Sequence, residues 1–248
     1  MARKKKTKRA TLCYLCGRPK ADSRDHVIAT CFFSPPFPEN LVTLPAHHVC
    51  QAKFSASEDY LRIYLASLAD DGSNPQVPGA VVTRAIKRNE PLRKQIAAGL
   101  LAAEDIYTEA GVYIGTAPAV RFDPERFFPA LRKIVRALVF REYGVVLKPA
   151  DDAFRWKIHD RPDPKQFATD NLLRHSYQGL SYPGVFDSKY SSGAQHCWWF
   201  LRFYQGTPIS CLLLHEGKLP ARFQQFAPMG QSSSRAYRFI LSGSRFDL

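Results

Sequence analysis

Two pairs of metal-ligand side chains bracket the segment from Cys13 to Cys50: Cys13 and Cys16 in CYLC, His47 and Cys50 in HHVC. Nothing else in the chain limits its fold as strongly. Two ligands separated by two residues can face one ion from a tight turn, and two such pairs complete the tetrahedron that zinc takes. A metal held this way supplies folding free energy to a segment too short to bury much core. A lone C-x-x-C would equally suit a redox motif, and the second pair is what favours zinc. His48 competes with His47, but His48-x-Cys50 lacks the two-residue spacing. The expected zinc ligands are Cys13, Cys16, His47 and Cys50.

Inside and just after this bracket lie Asp25 and His26 in RDHV, Asn40 in ENLVTL, and Gln51 and Lys53 in CQAK. Hydrolysis of a phosphodiester needs a base for water, charge stabilisation on the phosphorane and help for the departing oxygen. A neutral imidazole is the side chain best suited to take a proton near neutral pH. A hard divalent cation held by a carboxylate and an amide oxygen can do the electrostatic work. Neighbours on an extended strand point to opposite faces, so Asp25 and His26 are expected at a strand end or bulge. VIA should continue the hairpin and SPPFPEN should form its rigid loop, because Pro35, Pro36 and Pro38 suit no interior strand.

At these residues the chain resembles the HNH endonuclease family, whose fold is a β-hairpin plus helix wrapped around a catalytic metal. The resemblance covers residues 12 to 65 of 248. It implies that His26 is the general base and that Asp25 is a ligand of a catalytic Mg²⁺ or Mn²⁺. It implies that Asn40 braces the loop holding the base. His47 replaces the family's usual third cysteine, and Gln51 stands where the family has Asn or His completing the metal site. The run FSASEDYLRIYLASL looks like an extension of the family's final helix.

Plainer roles exist for each residue. A single histidine is more often a structural residue than a base, and Asn40 after Pro38-Glu39 could be a turn residue. The zinc bracket, with Asp25 and Asn40 at family spacing, raises the functional reading of His26. His48 suits a phosphate contact or a plain surface position. Lys53 suits a DNA phosphate contact or a solvated helix position.

The charge balance points to a polyanionic partner. Lysine and arginine number 35 against 22 acidic residues, a net charge of +13. Such a field favours nucleic acid without specifying which. Arg3, Lys4, Lys5, Lys6, Lys8 and Arg9 crowd the first nine residues, which read as a disordered arm contacting phosphates. The arm has no apolar stretch of a secretory signal, and no run is long and apolar enough for a membrane span. A cytosolic protein without membrane partners is expected. Cys31, Cys197 and Cys211 read as reduced core residues, with ATCFFS resembling buried strand around Cys31.

The length allows the N-terminal module and one further domain. The expected class is α+β: a basic tail over 1–10, a ββα-metal (HNH) module with structural zinc over 11–68, a helical connector over 69–120, and a mixed α+β domain over 121–248 that steers substrate choice. SASEDYLRIYLASLADD reads as a helix, and a second helical stretch restarts at Pro91 with Arg84, Lys87, Arg88, Arg93 and Lys94 as a basic cluster. AEDIYTEAGVYIGTAPAVRF reads as short strands and turns. PERFFPALRKIVRALVFREYG is the clearest amphipathic helix. Leu131, Ile134, Val135, Leu138 and Val139 form its buried face, Arg132, Lys133 and Arg136 its basic side, and Gly144 a C-cap. FRWKIHD, CWWFLRFY, ISCLLLHE and RAYRFIL read as strands. Trp198, Trp199, Arg202, Phe203 and Tyr204 suit core packing better than base stacking. His159, Asp160, His175, His196 and His215 fall in no motif.

The sequence therefore points to a metal-dependent endonuclease acting on nucleic acid, with DNA ahead of RNA. The alternative is a zinc-stabilised nucleic-acid-binding module with weak or no catalysis, and Gln51 is the residue that favours it. A more distant third reading is a protein that docks another subunit through its basic surface.

Overall fold

A computed structural model describes residues 11–69, 87, 89–99, 104–107, 110–117, 123–147, 153–158, 176–192, 196–206 and 208–214. The basic arm, Arg84, Arg88, His159, Asp160, His175, His215 and the expected strand RAYRFIL lie outside these residues.

The described residues begin with a turn around Cys13 to Gly17, then β1 (Ser23–His26), a long loop, and β2 (Thr43–Ala46). The two strands pair antiparallel, Asp25 opposite Leu44 and His26 opposite Thr43. A single turn, α1 (His48–Gln51), and a 3-10 turn over Ala52–Phe54 lead into α2 (Ser55–Ala69). This is a hairpin followed by helix.

The loop between the strands departs from the expected hairpin. Only Val27 extends the pairing, its N–H donating to the Val42 carbonyl at 3.0 Å. Thr30–Phe32 form a 3-10 turn rather than strand. The reason is tertiary: this turn drops Phe32 and Phe33 onto a distant sheet. Phe32 lies 5.4 Å from Phe203 and Phe33 lies 5.2 Å from Tyr182, ring centre to ring centre. The Tyr204 hydroxyl donates to the Phe32 carbonyl at 2.9 Å, and the Val42 N–H donates to the Tyr182 hydroxyl at 2.8 Å. Pro35, Pro36 and Pro38 sit in irregular backbone beyond these anchors.

Next come α3 (Glu90–Gly99), with Pro91 in its first turn, and a hairpin of β3 (Glu104–Tyr107) with β4 (Tyr113–Ala117). Helix α4 (Pro124–Tyr143) follows. Asp123 caps it, its carboxylate accepting from the Arg126 N–H, and Pro124 occupies the first helical position, where a missing N–H costs nothing. Gly144 ends it in the left-handed region at φ 67°, its N–H donating to the Phe140 carbonyl at 2.8 Å.

Among the described residues a five-stranded antiparallel sheet follows in the order β5-β9-β8-β7-β6: β5 (Ala153–Ile158), β6 (Tyr177–Tyr182), β7 (Phe186–Ser192), β8 (His196–Phe203) and β9 (Pro208–Leu214). Alternation along β8 buries Cys197, Trp199, Leu201 and Phe203. This face meets α4, where Tyr143 lies 5.9 Å edge-on from Tyr190 and Phe128 lies 4.1 Å from Trp156. Helix α4 also packs on α2, with Phe127 edge-on to Tyr64 at 5.4 Å.

Helix α4 is therefore covered by both the sheet and α2. The expected stripe of Leu131, Ile134, Val135, Leu138 and Val139 is fully enclosed, but so are Lys133 and Arg136, which the amphipathic pattern assigned to a basic side. Buried side chains from Cys13 to Leu213 form one hydrophobic cluster, so residues 11–68 and the described residues after 120 share a core.

Candidate metal centre and its surroundings

The first ligand pair sits on a turn shaped by backbone hydrogen bonds. The Cys13 N–H donates to the Arg18 carbonyl at 2.9 Å and the Gly17 N–H to the Cys13 carbonyl at 2.8 Å. Gly17 takes φ 73°, a conformation that a side chain would strain. The Tyr14 N–H reaches the Pro45 carbonyl at 3.0 Å and fastens this turn to β2. The second pair lies where β2 turns into α1. His47 precedes the helix and accepts through its carbonyl from the Cys50 N–H at 2.9 Å, placing both side chains on one side of the first turn.

These two turns bring the four candidate ligand atoms of Cys13, Cys16, His47 and Cys50 within 4.8 Å of one another. His47 Nδ1 is 3.4 Å from Cys16 Sγ and 3.9 Å from Cys50 Sγ. With bonds of about 2.3 Å to sulfur and about 2.05 Å to nitrogen, a tetrahedral zinc would set that edge at about 3.6 Å. The group fits such an ion. Its other ring nitrogen, Nε2, lies 3.2 Å from the Pro19 carbonyl, the arrangement in which Nε2–H donates outward and Nδ1 keeps its lone pair for metal. His47 rather than His48 completes the group. His48 is exposed, and its backbone N–H is capped by Asp22 Oδ1 at 2.9 Å.

Asp25 and His26 end β1 and part company there. His26 is half-buried on the side of the strand that carries Arg24 and Thr43. Arg24 is fixed across the hairpin, Nε donating to Thr43 Oγ1 at 2.7 Å and Nη2 to the Thr43 carbonyl at 2.8 Å. A shallow hollow lined by Thr11, Ala21, Asp22, Ser23, Arg24 and Pro45 lies alongside. Asp25 points inward and is only 8% exposed.

The Asp25 carboxylate is fully engaged. The Tyr14 hydroxyl donates to Oδ2 at 2.6 Å, and Lys133 Nζ lies 3.0 Å from Oδ1 and 2.8 Å from Oδ2. Lys133 also donates to Glu58 Oε1 at 2.5 Å, and its Nζ sits 5.8 Å from the centre of the Phe54 ring. Burial, then the charge of Asp25, pushes the Tyr14 phenol well above its usual range, so it remains a donor. Burial also raises the Glu58 carboxyl, with the Lys133 charge opposing that shift without cancelling it.

The remaining sequence candidates are placed as follows. Gln51 Nε2 donates to Ser23 Oγ at 3.1 Å and so ties α1 to β1. Asn40 is exposed in the turn before β2, and Lys53 is exposed on the 3-10 turn. Trp199, Phe203 and Tyr204 are core, as the packing reading holds. Cys197 and Cys211 are fully buried thiols, and burial pushes Cys31 up to about 12.

Sequence reasoning gave no role to Tyr14 and Glu58, and it put Lys133 and Arg136 on a basic helix side rather than in these buried contacts. Arg136 Nη2 donates to the Leu15 carbonyl at 2.7 Å and also to the Leu147 carbonyl. No local spacing signals these contacts, because the partners of Lys133 lie 75 and 108 residues away. Among the described residues, no helix is long and apolar enough to cross a membrane. Comparison with protein-family models, curated proteins and solved structures finds no match, which leaves the geometry of these residues to carry any functional reading.

Proposed function

We propose that this chain is a zinc-stapled endonuclease of the HNH kind, hydrolysing phosphodiester bonds in nucleic acid, DNA ahead of RNA. One observation carries the reading. The Cys13, Cys16, His47 and Cys50 group closes a hairpin-and-helix unit whose first strand ends in a half-exposed His26 beside the anchored guanidinium of Arg24. In this reading His26 takes the proton from the attacking water. Arg24 uses part of its donor fork on Thr43 and offers the rest to a phosphate oxygen. Zinc, held by the three thiolates and His47, supplies folding energy and holds the hairpin to the helix; it takes no part in hydrolysis. The basic arm and Lys53 add sequence-independent affinity.

The resemblance implies Mg²⁺ or Mn²⁺ on Asp25 and Gln51, and Asp25 does not fit that ion. Asp25 is buried against Lys133 and Tyr14, while the Gln51 amide nitrogen donates to Ser23. A magnesium ion keeps several waters and near-octahedral geometry, which this packing does not accommodate. No step is routed through Asp25.

The same observation favours a second reading, a nucleic-acid-binding module without hydrolysis. Incubating the zinc-loaded protein with supercoiled plasmid, with Mg²⁺, Mn²⁺ or neither, separates the two. Nicking or linearisation that is lost in His26→Ala supports the endonuclease. Tight, salt-sensitive binding with no cleavage under any of these ions leaves the binding module.

A further inference from the structure

We infer that the Asp25–Glu58 carboxylate pair is a cation site whose resident cation is the chain's own Lys133, so that Asp25 is not a ligand for a divalent metal. This deepens the proposed function, because it concerns the carboxylate next to the proposed base. It does not require that function to hold.

The geometry is that of a filled site. Two carboxylates from separate elements, β1 and α2, converge on one nitrogen at 3.0, 2.8 and 2.5 Å. Two of the ammonium's donors go to Asp25 Oδ1 and Glu58 Oε1, and Asp25 Oδ2 lies within ion-pair distance. Lys133 is 1% exposed, and the Phe54 ring lies 5.8 Å from Nζ, so the nitrogen is shielded from solvent. Tyr14 takes a further acceptor position on Asp25. A divalent ion would have to expel a lysine delivered from α4, a helix buried between α2 and the sheet.

The placement also separates two tasks that share one site when a metal bridges them. Asp25 fixes the end of β1 from inside, through Lys133. His26, the next residue, stays on the outer face with Arg24. Any divalent ion that serves cleavage would then be held on that outer face by substrate phosphates and not by Asp25.

Mn²⁺ is the probe, applied to full-length zinc-loaded protein with ¹³C-labelled tyrosine. The Tyr14 ring touches Asp25, so Mn²⁺ bound there would broaden its signals beyond detection. The expected result is an unbroadened Tyr14 signal in the wild type, with the same Mn²⁺ stoichiometry in Asp25→Asn. Loss of the Tyr14 signal in the wild type that is restored in Asp25→Asn, with loss of one bound Mn²⁺, overturns the inference.

A second arm removes the ammonium. Lys133→Met should gain one Mn²⁺ per chain, with Tyr14 now broadened, and adding Glu58→Gln should abolish the gain. A folded Lys133→Met protein that gains no Mn²⁺ also overturns the inference. Should that variant not fold, the wild-type spectrum decides alone. An absence of plasmid cleavage alongside an unbroadened Tyr14 would defeat the nuclease reading and leave this one standing.

Discussion

Arg136 of α4 donates to the carbonyl of Leu15, which lies between the zinc-ligand candidates Cys13 and Cys16. One turn earlier on the same helix, Lys133 holds Asp25. Two buried cations from the middle of α4 thus grip the N-terminal module at its metal turn and at the end of its first strand. Substitutions in α4 should therefore be felt at the metal centre.

Arg136→Met is the direct test of that coupling. It leaves the Leu15 carbonyl without its donor in a buried setting, which costs about 1–3 kcal/mol. The expected outcome is a lower melting temperature and faster transfer of zinc to a chromogenic chelator. Unchanged zinc release at equal stability would show that the turn does not depend on α4.

Removing a ligand acts on the metal itself. Cys16→Ser and Cys50→Ser should each bring zinc below one per chain and lower the melting temperature, because metal binding energy is folding energy in this segment. Elemental analysis and calorimetry read both effects. Full zinc content with an unchanged melting curve in both variants would remove these two cysteines from the site.

If the chain is the proposed endonuclease, His26→Ala should lower cleavage by about 100-fold or more, the scale of a lost general base, while the salt dependence of binding stays as in the wild type. Arg24→Ala should also slow cleavage and weaken phosphate affinity, since its guanidinium is fixed on the same face. Rate against substrate concentration, measured for both, distinguishes the two roles. A wild-type rate in His26→Ala would place the chemistry elsewhere.

Glu58 gives stability a pH dependence of known sign. Burial raises its carboxyl above the ordinary value of about 4.3, so the folded protein holds that proton more tightly than the unfolded chain. Its contribution is fully present below the ordinary value and is lost as pH rises through the raised folded value. Denaturant titrations across weakly acidic pH should show wild type losing stability relative to Glu58→Gln as pH rises. A gain over the same range would reverse the sign and refute the assignment.

Tyr204→Phe tests how the strand-connecting loop is anchored. Its hydroxyl donates to the Phe32 carbonyl, and its backbone sits at φ 52° in the turn between β8 and β9. Losing this bond should cost about 1 kcal/mol and speed amide exchange at the loop neck, at Val27 and Val42. Exchange rates equal to wild type would show that ring packing alone holds the loop.

Local spacing determined a good part of this protein. The pairs Cys13/Cys16 and His47/Cys50 are each confined to one turn, so their geometry follows from a few dihedrals, and the structure brings them together. The helix over 124–143, its glycine cap at Gly144 and the strands around Trp199 and Cys211 are likewise legible, because periodicity and capping are short-range properties. Only the tertiary structure decided the sheet order β5-β9-β8-β7-β6, in which β5 and β9 become neighbours. It also decided the fate of Asp25 and Lys133. From sequence, Asp25 next to His26 reads as a metal ligand and Lys133 as a solvent-facing charge on an amphipathic helix. Whether a charged group meets water, metal or another charge depends on what packs over it. Here α2, the Phe54 ring and a helix 108 residues away close over both groups together, a relationship that no local pattern encodes.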